Sequence, residues 1–513
     1  VSQTLIAALQ NPALYPHPVT AFNVIETHIS WVVLTGEYAY KIKKPVNFGF
    51  LDFTDLNARG HFCREELRLN QRLTEGLYLD VVPITGTAEA PQIAGEGPVI
   101  EYAIKMREFP QSQLLSEMEK RGELTEQHID ALAEQIARFH LSAPVVGATN
   151  ELGSPDSVMA PVRQNFEQIR PMLEHTEDLA QLDHLEAWAE EHFARLHPLF
   201  ERRKTEGFIR ECHGDIYLAN VTQLDGQVVL FDCIEFNEPF RMTDVIADTA
   251  FLAMDLEDRK HKALAHRFIN AYFERTGDYD GLYVLPFYKA YRAMVRAKIN
   301  LFQYGQASDP AQKAEILARY RNYASLAESY CAIPYCLLAI THGVSAVGKS
   351  SAALKLVETL GAIRLRSDVE RKRLIKSEAP EVLYSAESGR VTYDHLHHVA
   401  ANILQAGYPV VLDATYLKQA QREAAAEVAE TAAVPFLIID CYAPDTVIAQ
   451  WLAERQAEGR DPSDATLAVI QAQQQDREPL TEQELIRTRR VDMTDPANLD
   501  VLIKAMQDKL PVN

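Results

Sequence analysis

Cysteine is scarce and unpatterned in this sequence. Its six cysteines, Cys63, Cys212, Cys233, Cys331, Cys336 and Cys441, contain no CxxC pair. That spacing suggests neither a zinc site nor a disulfide framework and fits reduced thiols in a cytosol. No apolar run reaches about 18 residues, and the first residues lack a basic segment followed by an apolar core, so neither a membrane span nor an export signal is expected. Positive charge is also in deficit: 51 Lys and Arg stand against 72 Asp and Glu, a net charge of -21. Such a balance favours solubility and argues against nucleic acid as a partner of the amino-terminal part. A cytoplasmic location follows as the expectation. What remains is 513 residues, 47% hydrophobic and 24% charged, an ordinary globular composition in a chain too long for one core. Two or three domains are expected.

The first ordered pattern is a set of strands. Residues 23–27, 29–34 and 38–43 alternate as an antiparallel sheet, the last reading Tyr38-Ala39-Tyr40-Lys41-Ile42-Lys43. Lys41 and Lys43 share one face of that strand, so periodicity alone does not separate them. The segment 57–73 carries apolar residues at helical spacing and two adjacent acids, Glu65 and Glu66. Glu66 is the candidate to pair with the lysine, and Glu65 competes from a neighbouring face. Another strand, 99–109, ends in Met106-Arg107-Glu108-Phe109-Pro110, and the chain beyond it turns helical: 116–121, 125–140, 162–175 and 179–204.

The run His213-Gly214-Asp215-Ile216-Tyr217-Leu218-Ala219-Asn220 follows, then a strand pair turned at Asp225-Gly226, then Leu230-Phe231-Asp232. A carboxylate able to take a hydroxyl proton, an amide five residues on, and a second carboxylate on a short apolar strand are the parts that phosphoryl transfer requires. Asp244 and Asp248 are read as a helix cap and a support for this loop. Tyr38-Ala39-Tyr40-Lys41 resembles the kinase strand that carries the phosphate-pairing lysine, and that register favours Lys41. The kinase Gly-x-Gly-x-x-Gly loop is missing, its place taken by Thr27-His28-Ile29-Ser30. From about residue 20 to 330 the chain resembles the aminoglycoside phosphotransferase family, a branch of the kinase-like fold. The resemblance implies transfer of the γ-phosphate of ATP to a hydroxyl of a small molecule, such as a sugar, an aminoglycoside-like compound or an amino alcohol. It also implies that Asp215 and His213 act in catalysis and that Asn220 and Asp232 hold Mg²⁺.

After residue 335 the pattern resets. A buried strand, Cys336-Leu337-Leu338-Ala339-Ile340-Thr341, runs into Gly343-Val344-Ser345-Ala346-Val347-Gly348-Lys349-Ser350-Ser351 and a helix. Gly-x4-Gly-Lys-Ser in a strand–loop–helix setting is the most specific signal in the chain. Gly343 and Gly348 let backbone N–H groups wrap phosphates, Lys349 reaches the terminal oxygens, and Ser350, followed by Ser351, takes Mg²⁺. Strands at 362–366, 409–413, 435–441 and 486–491 alternate with helices, which predicts a parallel sheet. Asp413 ends one of them, where either a metal-side carboxylate or a cap on the next helix would sit. Asp368 lies just past another, as an acceptor-activating carboxylate or a helix N-cap. Arg455, Gly459 and Arg460 read either as a lid carrying positive charge or as surface arginines.

This half resembles P-loop kinases of the AAA or zeta-toxin-like group. The whole chain resembles a bacterial fusion of an aminoglycoside phosphotransferase domain with an ATP-binding domain. The expected fold is thus an α+β, two-lobed kinase-like domain over 1–330, with a small lobe at about 20–110 and a helical lobe at about 111–330, then an α/β P-loop domain over 335–513. A bifunctional phosphotransferase, with the P-loop domain a second small kinase or an ATPase, is the first functional expectation. A nucleotide switch in the P-loop domain, or a kinase acting on nucleotide sugars, is the alternative.

Overall fold

The computed structural model describes residues 3–49, 51–304, 307, 309–332, 335–377, 379–458 and 465–507. The chain gathers into two compact units, Val1–Leu179 with Ala189–Asp255, and Ala180–Trp188 with Leu256–Asn513. Residues 256–330, grouped from the sequence with the amino-terminal kinase domain, thus share a unit with the P-loop sheet. Among the described residues no helix is long and apolar enough to cross a membrane, and all six cysteines are free.

In the first unit, β1 (Asn23–Glu26), β2 (Ser30–Leu34), β3 (Tyr38–Lys43), β4 (Tyr78–Gly86), β5 (Pro91–Ile93) and β6 (Val99–Arg107) form one sheet in the order β1-β2-β3-β6-β4-β5. Every pairing is antiparallel. One face buries Trp31, Val33, Tyr40 and Ile42 under Leu5, Ile6, Leu9 and Tyr15. The other packs Ala39, Ile104 and Met106 against Cys63 of the helix Leu56–Gln71. Because side chains alternate along a strand, Lys41 and Lys43 emerge on this second face. The β1–β2 turn is closed by a side chain: the Thr27 hydroxyl accepts the Ser30 N–H at 2.9 Å, and the Thr27 N–H reaches the Ser30 carbonyl at 2.9 Å.

Strands β4 and β5 were not expected. Register shifts at Tyr78/Asp80 and Ile84/Thr85 break the period-2 pattern on which strand recognition depends. The helix expected over 162–175 instead starts at Pro155, where Ser154 caps the Ser157 N–H, and ends at Ile169, before a 3-10 turn at Pro171.

Beyond the helices Glu126–Ser142 and Thr176–Thr205 come β7 (Ile209–Glu211), the hairpin β8 (Val221–Leu224) and β9 (Gln227–Leu230), and β10 (Met242–Asp244), which pairs with β7. The hairpin turns at Asp225 and Gly226, both at positive φ of 50° and 79°, as a two-residue hairpin requires. The helix Val245–Asp258 follows.

The second unit holds β11 (Leu338–His342), β12 (Ile363–Arg366), β13 (Val410–Asp413), β14 (Phe436–Tyr442) and β15 (Thr488–Asp492) in a five-stranded sheet. The order is β12-β13-β11-β14-β15 and every pair is parallel. β11 and β13 are buried at every position, as expected of central strands covered on both faces. The β11 carboxyl end opens into the glycine-rich loop, and the helix Lys349–Leu360 follows it.

The helix Lys262–Thr276 was not anticipated. Its start has no side-chain cap, and it ends at Gly277 with φ 71°. Its buried residues Ala265, Phe268, Ile269, Tyr272 and Phe273 nonetheless follow helical spacing. It lies along β12, where Asn270 accepts the Arg364 N–H at 2.7 Å. The edge strand of the sheet is thereby covered.

Candidate functional site

In the first unit, strand β3 sends two lysines to one glutamate. Lys41 Nζ donates to Glu66 Oε1 at 2.7 Å and Lys43 Nζ to Glu66 Oε2 at 2.6 Å. Lys41 also reaches Asp232 Oδ1 at 2.5 Å, and Lys43 donates to Glu235. The sequence alternatives at the lysine are therefore both on Glu66, and it is Lys41 that also meets Asp232. Glu65 turns away to Arg68, 2.8 Å off.

Glu66 is wholly buried and Lys43 is 1% exposed. Its position is pinned from behind, since Asn70 Nδ2 donates to the Glu66 carbonyl and Asn70 Oδ1 takes the Cys233 N–H. Burial works against charge on Lys41, but Asp232 and Glu66 outweigh it and raise the ammonium well above its ordinary pKa. Asp232 is pulled the other way: loss of water raises it, and the Lys41 charge overrides this to leave it below the usual carboxylate value. Burial lifts Glu235 above that value, with Lys43 opposing.

Two ammonium groups against three carboxylates leave this cluster with one formal negative charge in excess, and the Asp232 side chain is 41% exposed. Its oxygens could hold a divalent cation. Asp232 sits at φ +66°, a conformation an Asp adopts at a cost of about 1 kcal/mol or more. Its N–H is held at 3.2 Å by the hydroxyl of Tyr78, on the unforeseen β4.

The loop before β8 is organised by Asp248. Its carboxylate accepts the His213 and Gly214 N–H groups, both at 2.8 Å, and faces His140 Nε2 at 3.2 Å. Gly214 is at φ +90°, where a Cβ would lie 3.1 Å from the Phe240 carbonyl oxygen, so the sharp turn requires glycine. His213 is fully buried. Its Nδ1 accepts the Asp215 N–H at 3.3 Å, which leaves Nε2 to donate to the Phe231 carbonyl at 3.0 Å. Burial pushes this ring below its ordinary pKa in spite of Asp248, so His213 ties the loop to the β9 end as a neutral ring.

Asn220 Nδ2 donates to the Asp215 carbonyl at 3.0 Å and to Asp215 Oδ2 at 3.1 Å. The structure thus draws Asp215 and Asn220 together, and joins Lys41, Glu66 and Asp232. Asp244 is engaged elsewhere, in a buried pair with Arg203 at 2.7 Å, and its Oδ1 accepts the Ile246 N–H. His140, Cys212 and Asp248 lie close enough to suggest a metal site. Burial raises the Cys212 thiol well above its ordinary pKa, however, and it donates to the Thr243 carbonyl. The Asp248 oxygens already accept N–H donors, so this group props the loop.

In the second unit the glycine-rich loop is shaped by close approach. Gly343, at φ +136°, has room for no Cβ, which would lie 2.7 Å from the Cys441 carbonyl oxygen. Gly348, at φ +92°, precedes the helix that begins at Lys349. Ser345 N–H donates to Gln473 Oε1 at 2.7 Å, and Lys349 Nζ folds back to the Val344 carbonyl at 2.7 Å. Ser350 sits in the first helical turn and Ser351 is exposed.

Asp413 ends β13 opposite Arg366, and its buried Oδ2 has no hydrogen-bond partner. The next helix begins at Gln419, capped from Lys418, so Asp413 is no cap. Asp368 is no cap either: the N-cap of Ser367–Leu374 is Arg366, and the Asp368 carboxylate takes Arg371 at 2.9 Å. Arg455 lies in the helix Asp445–Glu458, with its side chain outside the described residues, and Gly459 and Arg460 are outside them altogether. Sequence reasoning missed Glu235, three residues after Asp232, and Arg366, two residues before Asp368.

The model of the phosphotransferase enzyme family matches residues 63–285, and an AAA domain model matches 338–480. Uncharacterized proteins of Mycobacterium tuberculosis and Mycobacterium bovis are 30% identical over 471 residues, covering 90% of this chain and 92% of theirs. The chain belongs to a family of phosphotransferase and P-loop kinase fusions. Among solved structures, the fusion is similar to a choline/ethanolamine kinase family protein of Mesorhizobium loti at 13% identity. That likeness spans 64% of this chain and all of that one, with a TM-score of 0.39. A gluconokinase of Sinorhizobium meliloti aligns at 18% identity over 34% of this chain and 98% of its own, with a TM-score of 0.26. In the fusion, the phosphotransferase match begins inside the Leu56–Gln71 helix and extends through Lys262–Thr276.

Proposed function

We propose that the fusion is a bifunctional ATP-dependent kinase, each half passing the γ-phosphate of ATP to an alcohol. The observation that carries this reading is Lys41 held between Glu66 and Asp232 in the first unit. A lysine fixed by a helix glutamate, beside the carboxylate that meets the metal, is how kinase-like sites align a triphosphate. The excess negative charge of the cluster fits Mg²⁺, which Asp232 and Asn220 would hold. A bound Mg²⁺ would neutralise charge developing on the phosphate oxygens.

Asp215 then accepts the proton of the acceptor hydroxyl as its oxygen bonds to the γ-phosphorus and the bond to ADP breaks. Asn220 fixes the Asp215 carboxylate, and His213, as a neutral ring, holds the loop that carries both. The acceptor is a small molecule with a free hydroxyl, such as a sugar or an amino alcohol.

In the second unit Gly343, Gly348 and Lys349 would cradle the phosphates of a second ATP, with Ser350 and Asp413 around its Mg²⁺. The unpartnered buried Oδ2 of Asp413 fits that role. Asp368 would take the acceptor proton, and Arg455 and Arg460 would supply charge from the following segment.

Asp215→Ala and Lys349→Ala, compared with the wild type in ATP consumption over a panel of sugars, amino alcohols and oligonucleotides, test both halves. Asp215→Ala is expected to lower the first activity by about 1000-fold or more while both nucleotide sites still fill. Lys349→Ala is expected to empty one site. Undiminished turnover in Asp215→Ala, or full nucleotide stoichiometry in Lys349→Ala, would sink the corresponding half of the proposal.

A further inference from the structure

Lys43 and Glu235 are buried charges that take no part in the transfer step proposed above. Their side chains are 1% and 4% exposed, against 12% for Lys41 and 41% for Asp232, so the first two lie behind the site and the last two face its opening. Lys43 Nζ donates to Glu235 Oε1, and also to Glu66 Oε2 at 2.6 Å.

This bond is the last of a run of ties on the segment that begins at Asp232. The Asp232 N–H goes to the Tyr78 hydroxyl at 3.2 Å, the Cys233 N–H to Asn70 Oδ1 at 3.0 Å and the Ile234 N–H to the His213 carbonyl at 3.0 Å. Glu235 adds its side chain, to β3, and its carbonyl accepts Arg241 Nη1 at 3.1 Å. Asp232 itself is at φ +66°, a conformation that a residue other than glycine keeps only where its surroundings over-determine it.

Two rungs therefore join this segment to β3, Lys41 with Asp232 and Lys43 with Glu235, and Glu66 accepts both lysines. The rungs differ in what a ligand does to them. Phosphate would draw Lys41 and a divalent cation would draw Asp232, so the outer rung gives way as the site fills. The inner rung is charge-assisted, shut away from solvent and untouched by the ligand.

We infer that Lys43 and Glu235 are positioning residues of the first site: their buried bond keeps Asp232 in register with Lys41 once nucleotide and Mg²⁺ have taken over the Lys41–Asp232 contact. The inference rests on the kinase reading of the first unit. Without the inner bond the Asp232 segment loses its remaining tie to β3, and the site requires more Mg²⁺ to bind nucleotide. Supporting groups behind metal ligands typically alter metal affinity by about 10-fold or more.

The full-length protein carrying Lys349→Ala, which confines nucleotide to the first site, is titrated with Mg²⁺ in the presence of a fluorescent ADP analogue. The Mg²⁺ dependence abolished by Asp232→Asn reports that site. Glu235→Gln and Glu235→Leu remove the same charge, but only glutamine keeps an acceptor for Lys43. Glu235→Leu is expected to need about 10-fold more Mg²⁺ for half-maximal binding than Glu235→Gln, with Mg²⁺-free binding equal in the two. Combining Lys43→Met with Glu235→Leu leaves Lys41 against Glu66 and Asp232, the same single negative excess as in the wild type, and strands neither charge of the buried pair. Its Mg²⁺ requirement should still rise about 10-fold.

Equal requirements in Glu235→Gln and Glu235→Leu, or a wild-type requirement in the double variant, overturn the inference in favour of charge balance or packing alone. Equal loss of binding with and without Mg²⁺ overturns it as well, since the defect then lies in the fold and not at Asp232. Should Glu235→Leu not fold, the double variant decides. If Asp232→Asn leaves the Mg²⁺ dependence intact, the metal reading of the first site has failed and the inference falls with it. If Asp232→Asn abolishes it and the two Glu235 variants match, only the role of the inner pair is refuted.

Discussion

Replacing Glu66 with glutamine tests the buried cluster directly. Each carboxylate oxygen now accepts one ammonium, Lys41 at 2.7 Å and Lys43 at 2.6 Å. Glutamine has a single acceptor oxygen, so in either flip of the amide one ammonium faces an N–H donor. The lost charged hydrogen bond is worth about 2 kcal/mol. The full loss of about 3 to 5 kcal/mol seen when a buried pair is broken is not expected, because Lys41 keeps Asp232 and Lys43 keeps Glu235.

Trp31, buried in β2, offers a local probe once Trp188 and Trp451 are replaced by phenylalanine. Urea unfolding followed by its fluorescence should show the first unit destabilised by about 2 kcal/mol. In a Lys349→Ala background, Mg²⁺-ATP affinity at the remaining site should fall by about 10-fold or more, since a Lys41 drawn wholly to Asp232 no longer faces phosphate. Stability unchanged within about 0.5 kcal/mol, together with unchanged nucleotide affinity, would refute the shared role assigned to Glu66.

Other outcomes follow from single positions. His213 has a folded pKa below 6.5, so the unfolded chain binds the proton more readily. Its contribution to stability is whole above pH 6.5 and declines as pH falls below it, and a His213→Gln variant should show a flatter urea midpoint between pH 7 and 5. Gly343→Ala places a Cβ 2.7 Å from the Cys441 carbonyl oxygen at φ +136°. It is expected to destabilise the second unit by about 2 to 3 kcal/mol and to abolish nucleotide binding there, by calorimetry with the Asp232→Asn variant as the host. Retained binding would mean that the loop tolerates a side chain at its tightest point.

Much of this was legible in the residues. Tyr38-Ala39-Tyr40-Lys41, His213 through Asn220 and the glycine-rich loop were each located from their spacing, and the central parallel strands β11 and β13 were readable as apolar runs. Periodicity alone did not separate Lys41 from Lys43, since two lysines on one strand face are equivalent by spacing; the register of the kinase-like strand favoured Lys41, and the structure brings both onto Glu66 and Lys41 also onto Asp232. Strand β4 was hidden by its own register shifts. The bond between Lys43 and Glu235 was hidden for another reason: it spans 192 residues of chain, and nothing local marks a charge whose partner comes from a separate segment. The missing glycine loop and the turn Thr27-His28-Ile29-Ser30 in its place were visible from the start, but not the Thr27 hydroxyl bond that closes that turn.

The helix lying along β12 has a practical outcome for anyone trimming this gene. A shortened chain starting at Tyr335 would present Arg364 with its N–H bare, along a strand rim ready to recruit a second molecule edge to edge. Aggregation of such a fragment would then say little about the nucleotide site and much about a missing neighbour. Starting instead at Leu256 retains that neighbour.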